Sequence, residues 1–243
     1  MGRPLKNKQG RPRDNGGDQL APEMEALAHL VADLREEEVL LRIEAHLSTG
    51  VAPEEIFSAC QKGMRLVGSM HEKGQYFIAG LIMAGEIMRE AVNLLSPIMT
   101  QQRSTRNLGR VLLGTIAGDI HDIGKNLFKD LLECHGFTVM DLGVDVPPVD
   151  FLHAHTEFKP HLVAASALIT ECFPRLRELT VLFETAAQEW HERPLILIGG
   201  GQVDETVFRM SGSDYWAPDA FAGVRLCQKL MAAGQKTHGE RLT

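Results

Sequence analysis

Residues 111–142 read VLLGTIAGDIHDIGKNLFKDLLECHGFTVMDL, and this stretch decides the fold. The apolar run 111–116 is short and β-rich and predicts a buried strand. A polar loop with a glycine at each end follows it. Residues 125–135 then have helical character, and 138–142 form a second β-rich run. A strand, a crossover helix and another strand form a parallel pair. Toward the C-terminus the alternation continues, with strands expected at 162–166 and 195–198 and a weaker one at 214–216. The intervening helices are expected at 149–157, 174–190 and 205–210, with a closing helix at 219–231. Five such units within residues 110–233 predict a flavodoxin-like doubly wound parallel sheet covered on both faces.

Toward the N-terminus the periodicity changes. Apolar residues recur at three and four, as in Leu27, Leu30, Val31 and Leu34, then Val39, Leu40, Ile43 and Leu47. The same spacing continues through Ile56, Cys60, Met64 and Val67 and through Ile78, Leu81, Ile82, Met88, Val92 and Leu95. Breaks near Arg35, at 50–53 and around Gly74 divide this pattern into four helices, so residues 22–98 read as an antiparallel four-helix bundle. The polar residues within 99–109 form a linker. Residues 1–21 read as a disordered basic tail and 234–243 as a C-terminal tail. The fold class is therefore α plus α/β.

Composition narrows the function. The 243 residues carry 25 Lys and Arg against 32 Asp and Glu, and a net charge of −7 argues against a polyanion-binding body. The basic residues Arg3, Lys6, Lys8, Arg11 and Arg13 are confined to the tail, where they read as a solvated segment, and a nucleic-acid partner is not expected. No apolar run approaches the roughly 20 residues of a membrane span, so no membrane partner is expected. No signal peptide is visible, and Cys60, Cys134, Cys172 and Cys227 lie far apart without metal or redox spacing. The reading is a cytoplasmic protein with reduced thiols.

In doubly wound sheets ligands bind beyond the carboxyl ends of the strands. The first loop there is Gly118-Asp119-Ile120-His121-Asp122-Ile123-Gly124. An imidazole at this edge is a good transition-metal ligand, and a carboxylate two residues earlier can accept the proton on its other ring nitrogen. Gly124 leaves room for a bulky ligand at the helix start. Taken alone, Asp-x-His is also the pattern of a capping or surface pair. Ser166 and Leu168 at the end of the third strand, and Gly199, Gly200 and Gly201 after the fourth, add small residues at two further loop ends, as a channel would need. The glycines lack the Lys and Ser/Thr of a nucleotide-triphosphate loop. Most of Met64, Met70, Met83, Met88 and Met99 read as bundle core. His71, His135, His153, His155 and His161 read as ordinary surface or loop residues.

These motifs together resemble the cobalamin-binding domain of the methionine synthase and corrinoid methyltransferase family, whose Asp-x-His-x-x-Gly, Ser-x-Leu and Gly-Gly signature they match. The likeness extends through Asp141, Leu142 and Gly143, through Ile169 and Thr170, and through residues 215–220. Gly63, Met64, Val67, Gly68, Glu72, Gly74, Tyr76 and Phe77 are similar to the family's helical cap. The resemblance implies a cobalamin cofactor, with methylcobalamin as its loaded form and His121 as the lower axial ligand to cobalt. Asp119 would support that ligand. Asp122, Ile123, Gly124, Ser166, Leu168, Thr170, Gly199 and Gly200 would contact the cofactor, and Phe77 would shield the upper face of the corrin. Two departures stand out. Cys172 occupies the place where methionine synthases carry a Ser that completes a His, Asp, Ser relay. Ala79 and Gly80 stand where relatives commonly carry Pro and Glu.

The implied function is that of a methyl-carrying corrinoid protein similar to those of methanol, methylamine and methoxy-compound systems. The chain is expected to be a carrier subunit with no catalysis of its own, because it has no room for a barrel of about 250 residues beside bundle and sheet. Its partners would be a donor-specific methyltransferase, an acceptor methyltransferase using tetrahydrofolate or a thiol, and a reductive activase. The competing reading is a cobalamin-dependent sensor or transcriptional regulator, which would need a DNA-binding domain for which residues 1–21 are too few. An adenosylcobalamin mutase subunit is a third reading, weaker because it needs a substrate domain.

Overall fold

A computed structural model describes residues 16–100, 107–190 and 193–239. Residues 1–15, which hold the basic cluster, the linker residues 101–106 and the end of the C-terminal tail lie outside that set. Clustering of the backbone divides the chain into two units between Leu95 and Ser96.

The first unit is helical: α1 (Gly16–Ala32), α2 (Glu36–Ser48), α3 (Pro53–Glu72) and α4 (Ile78–Met99). Leu34, Gly50 and Gly74 turn the chain between helices with φ of 58°, 83° and 70°. The periodic residues face inward. Leu27, Val31, Val39, Ile43, Ile56, Val67, Ile87 and Leu95 are fully buried. Gly63 lets α3 cross close to α1, since a Cβ there would lie 2.6 Å from the Ala28 carbonyl oxygen. Of the methionine series, Met88 is buried but Met83 is 46% exposed. Met83 is therefore not core. It shares the start of α4 with exposed Phe77, Ile78 and Ile82, so this end of the helix presents an apolar stripe to solvent within its own unit.

The second unit alternates strand and helix: β1 (Gly109–Thr115), α5 (Ile123–Cys134), β2 (Phe137–Asp141), α6 (Pro148–Phe158) and β3 (Leu162–Ser166). It continues with α7 (Phe173–Ala186), β4 (Leu195–Gly199), α8 (Glu205–Ser211), β5 (Tyr215–Ala217) and α9 (Ala220–Gly239). All strand pairs are parallel, in the order β2-β1-β3-β4-β5. This is the flavodoxin-like doubly wound arrangement, with helices on both faces. The central strands are buried almost throughout. On one face Phe151 of α6 lies over Gly114 of β1, where a Cβ would come within 2.8 Å of its ring. Val163, Ile196, Ile198, Leu176 and Phe183 complete that layer. On the other face α5 packs against α9, with Phe128 over Gly223.

Several boundaries differ from the periodicity. The expected helix 174–190 ends at Ala186 and tightens into a 3₁₀ turn, Ala187–Glu189, and a further 3₁₀ turn, Thr170–Cys172, precedes α7. The turn at 187–189 brings Trp190 onto His155, with ring centroids 4.1 Å apart and nearly parallel. His155 also meets the Phe183 ring edge-on, and its Nδ1 is buried without a hydrogen bond. Burial pushes its pKa down. It is therefore a packed aromatic rather than a surface histidine, because α6 turns it toward α7.

Candidate functional site

Parallel register sets one row of small side chains level at the carboxyl ends of the strands. Thr115 of β1 pairs with Ser166 of β3, Ser166 with Gly199 of β4, and Gly199 with Ala217 of β5. The crossover from β1 leads outward to β2, and the chain then returns across β1 to β3. The loops after β1 and β3 consequently diverge around one crevice, the switch point at which such sheets bind ligands.

Asp119 spans that crevice from a fully buried position. Its Oδ2 accepts hydrogen bonds from the backbone N–H groups of Leu168 (2.5 Å) and Ile169 (3.3 Å) in the loop after β3. Its Oδ1 accepts the backbone N–H of His121 at 3.0 Å and lies 2.6 Å from His121 Nδ1. Burial alone would raise the Asp119 pKa. The N–H groups of His121 and Leu168, together with the imidazole, outweigh burial and hold the carboxyl below its ordinary value. An ionised carboxylate only accepts, so the proton shared with it sits on Nδ1 of His121 and leaves the Nε2 lone pair free. The His121 side chain is 54% exposed, and among the described residues Nε2 makes no hydrogen bond.

The rest of the loop is fastened at both ends. Thr115, fully buried, donates its hydroxyl to the His121 carbonyl at 3.0 Å. Asp122 occupies the N-cap position of α5, where its carboxylate accepts from the Asn126 side chain at 3.1 Å. Lys125, one turn into α5, is buried and donates to Asp141 Oδ2 at 2.6 Å and Asn126 Oδ1 at 2.8 Å. Asp141 in turn accepts the Gly143 N–H at 2.9 Å, so the ion pair ties α5 to the end of β2. The sequence motifs contain Lys125 and Asp141 without pairing them. The available signal is that Lys125 lies on the buried side of α5 with Phe128 and Leu132, where a lysine requires an acid.

Cys172 lies under this loop, 3% exposed, and a Cβ on Gly118 would approach its Sγ to 2.9 Å. Burial raises the thiol's pKa, and the negative charges of Asp119, Glu171 and Asp145 raise it further. Cys172 makes no hydrogen bond to Asp119 among the described residues, because backbone N–H groups already occupy Oδ2. The pair His121–Asp119 thus ends at the backbone, not at residue 172.

Of the other candidate residues, half-buried Ile123 and open Gly124 begin α5, and a Cβ on Gly124 would meet nothing within 4 Å. Ser166 ends β3, Leu168 lies in the loop after it, and Thr170 opens the 3₁₀ turn with its hydroxyl on Glu171 at 3.1 Å. Gly200 has φ of 139°, and a Cβ there would fall 1.8 Å from the Ala167 oxygen. These residues converge on one edge of the sheet. Phe77 belongs to the other unit, where it is 82% exposed.

The donor set fits a metal that arrives inside a macrocycle. It offers one imidazole nitrogen on the far side of the ring from a buried carboxylate, and among the described residues no group of three His, Cys, Asp or Glu could hold a bare ion. Gly124, three residues after His121, stands in open space, where a Cβ would meet nothing within 4 Å. Among the described residues no helix is long and apolar enough to cross a membrane.

Comparison with known proteins agrees with this geometry. A family described as B12 binding domain matches residues 109–225, and a second family of the same description matches residues 23–96. The trimethylamine corrinoid protein 2 of Methanosarcina mazei is 33% identical over 192 residues, which cover 77% of this chain and 87% of that one. The dimethylamine corrinoid protein 3 of Methanosarcina acetivorans is 31% identical over 214 residues, covering 86% and 99%. Among solved structures, the monomethylamine corrinoid protein of Methanosarcina barkeri has the same fold, with a TM-score of 0.73 at 22% identity, covering 86% of this chain and 99% of that one.

Proposed function

The chain belongs to the cobalamin-binding corrinoid protein family, and we propose that it carries methyl groups between two partner enzymes with His121 as the lower axial ligand to cobalt. The observation that carries this reading is the buried Asp119 carboxylate fixed on Nδ1 of His121, which leaves Nε2 free at the sheet edge. When bound, the corrinoid supplies the cobalt centre that takes up and releases the methyl group. The protein's own residues orient and shield it. Asp119 fixes the ring tautomer and aims Nε2, and its bonds to Leu168 and Ile169 hold the loops after β1 and β3 together around the cofactor. Asp122, Ile123 and Gly124 would hold the cofactor from the loop that carries His121. Ser166, Leu168, Thr170, Gly199 and Gly200 would flank its nucleotide tail. Phe77, exposed on the helical unit, is the residue proposed to shield the corrin.

The partners proposed are a donor methyltransferase, an acceptor methyltransferase acting on tetrahydrofolate or a thiol, and a reductive activase, all cytoplasmic. The relatives' names make an N-methylated amine the first donor class to test. Loaded with cobalamin, reduced and mixed with mono-, di- or trimethylamine and the matching donor methyltransferase, the protein should acquire the methylated spectrum with one amine and its enzyme. The rate should saturate with that enzyme's concentration, and no methylation should occur without it. Light-dependent binding to a DNA operator, with no methyl transfer from any donor, would overturn the carrier reading in favour of a regulator.

A further inference from the structure

The loop after β2 reaches back to the histidine loop through one residue, Asp145. Its φ is 55°, a left-handed conformation that Asp, Asn and Gly tolerate best. From there its backbone N–H donates to the Asp119 carbonyl at 2.9 Å. Its carboxylate Oδ1 accepts the Gly118 N–H at 2.7 Å. Among the described residues nothing else accepts from Gly118, whose own φ is 91° and where a Cβ would come 2.9 Å from Cys172 Sγ. The adjacent residue is anchored to the sheet. Val146 donates to the Thr115 oxygen and accepts from Ala117, both at 2.9 Å, in a parallel bridge that continues β1. Asp145 therefore stands on a rigid support and grips two successive residues, Gly118 and Asp119, just ahead of His121.

We propose that Asp145 is a positioning residue that presets the Asp119–His121 pair for cobalt. It holds the main chain on one side while Leu168 and Ile169 hold the Asp119 carboxylate on the other. The direction of Nε2 is then set before any cofactor arrives. The proposal rests on the reading of His121 as axial ligand, and it assigns the β2–α6 loop a part in ligation that no contact with cobalt would reveal. Backbone and side chain contribute separately. A glycine at 145 would accept the left-handed conformation and keep the N–H bond to Asp119, but it would lose the acceptor for Gly118. An asparagine would keep both.

The test compares the full-length chain with Asp145→Asn and Asp145→Gly. In the cofactor-free protein, amide hydrogen exchange at Gly118 should speed up roughly tenfold to a hundredfold in Asp145→Gly, the range for losing a hydrogen bond to a carboxylate, and stay close to the parent rate in Asp145→Asn. Added cobalamin should bind Asp145→Gly more weakly by a similar factor. The nitrogen coupling in the electron paramagnetic resonance spectrum of its Co(II) form should broaden. Asp145→Asn should match the parent in both. An Asp145→Gly protein identical to the parent in exchange, affinity and coupling would overturn the proposal, as would an Asp145→Asn protein as impaired as the glycine variant. If His121→Ala keeps the parent nitrogen coupling, the axial-ligand reading fails instead, and Gly118 exchange still decides whether Asp145 holds the loop.

Discussion

Asp119→Ala should destabilise the second unit by about 3 kcal/mol, because it strips acceptors from the buried N–H groups of Leu168 and His121, each costing about 1–3 kcal/mol when left unmet. Asn is no remedy. Its amide nitrogen would confront an N–H donor on one side or the other of the crevice. The substitution should also change how stability depends on acid. The folded pKa of Asp119 lies below its unfolded value, so its contribution is complete above the unfolded pKa of about 4 and is lost as pH falls through the lower folded value. Denaturant titrations from pH 7 down to about pH 3 should show a shallower acid decline in Asp119→Ala than in the parent. Parallel curves displaced by a constant amount would mean that the Asp119 carboxyl titrates alike in the folded and unfolded protein, and would contradict its lowered pKa.

Gly200→Ala should be comparably severe, through the backbone instead of a charge. Its φ of 139° is strained for any residue with a side chain, and the new Cβ would fall 1.8 Å from the Ala167 oxygen. A backbone atom cannot rotate away, so the loops after β3 and β4 must separate at a cost of about 3 kcal/mol or more. That movement displaces Leu168, one of the three residues whose backbone N–H groups donate to the Asp119 carboxylate, so cobalamin uptake should fall along with stability. Gly124→Ala is the contrast. Its Cβ would meet open space in the first turn of α5, so stability should hold or rise by about 0.5 kcal/mol. If cobalamin occupies that space, Gly124→Ala should weaken its binding with no loss of fold. A Gly200→Ala protein of parent stability and affinity would contradict the close approach of the two loops.

The strands were legible because central parallel strands are buried on both faces. The run at 162–166 coincides with β3, and 195–198 falls one residue short of β4. Element ends were less legible where hydrogen bonding sets them. Nothing in the apolar spacing marks the change from α-helix to 3₁₀ turn at Ala187, or shows α9 continuing to Gly239 and α1 beginning as early as Gly16. In the loop after β1, the pairing of Asp119 with His121 could be read from a two-residue separation. The bonds from Leu168 and Ile169 could not, since they join segments about 50 residues apart through main-chain atoms that have no sequence signature. Asp145 and Thr115 escaped for the same reason, as each acts on a backbone group. Which methionine of the series stays exposed, Met83, was not legible because helical spacing shows that residues share a face without showing what the face meets.

The most direct test of the account is whether a nitrogen of this protein binds the cobalt. Protein grown with ¹⁵N-histidine should be loaded with unlabelled cobalamin and reduced to the Co(II) state. Its electron paramagnetic resonance spectrum should show nitrogen splitting from the spin-½ label, a doublet in place of the ¹⁴N triplet, and His121→Ala should abolish that splitting. A triplet unchanged by the label would show that the cofactor's own base remains on the metal, and would contradict the assignment of His121.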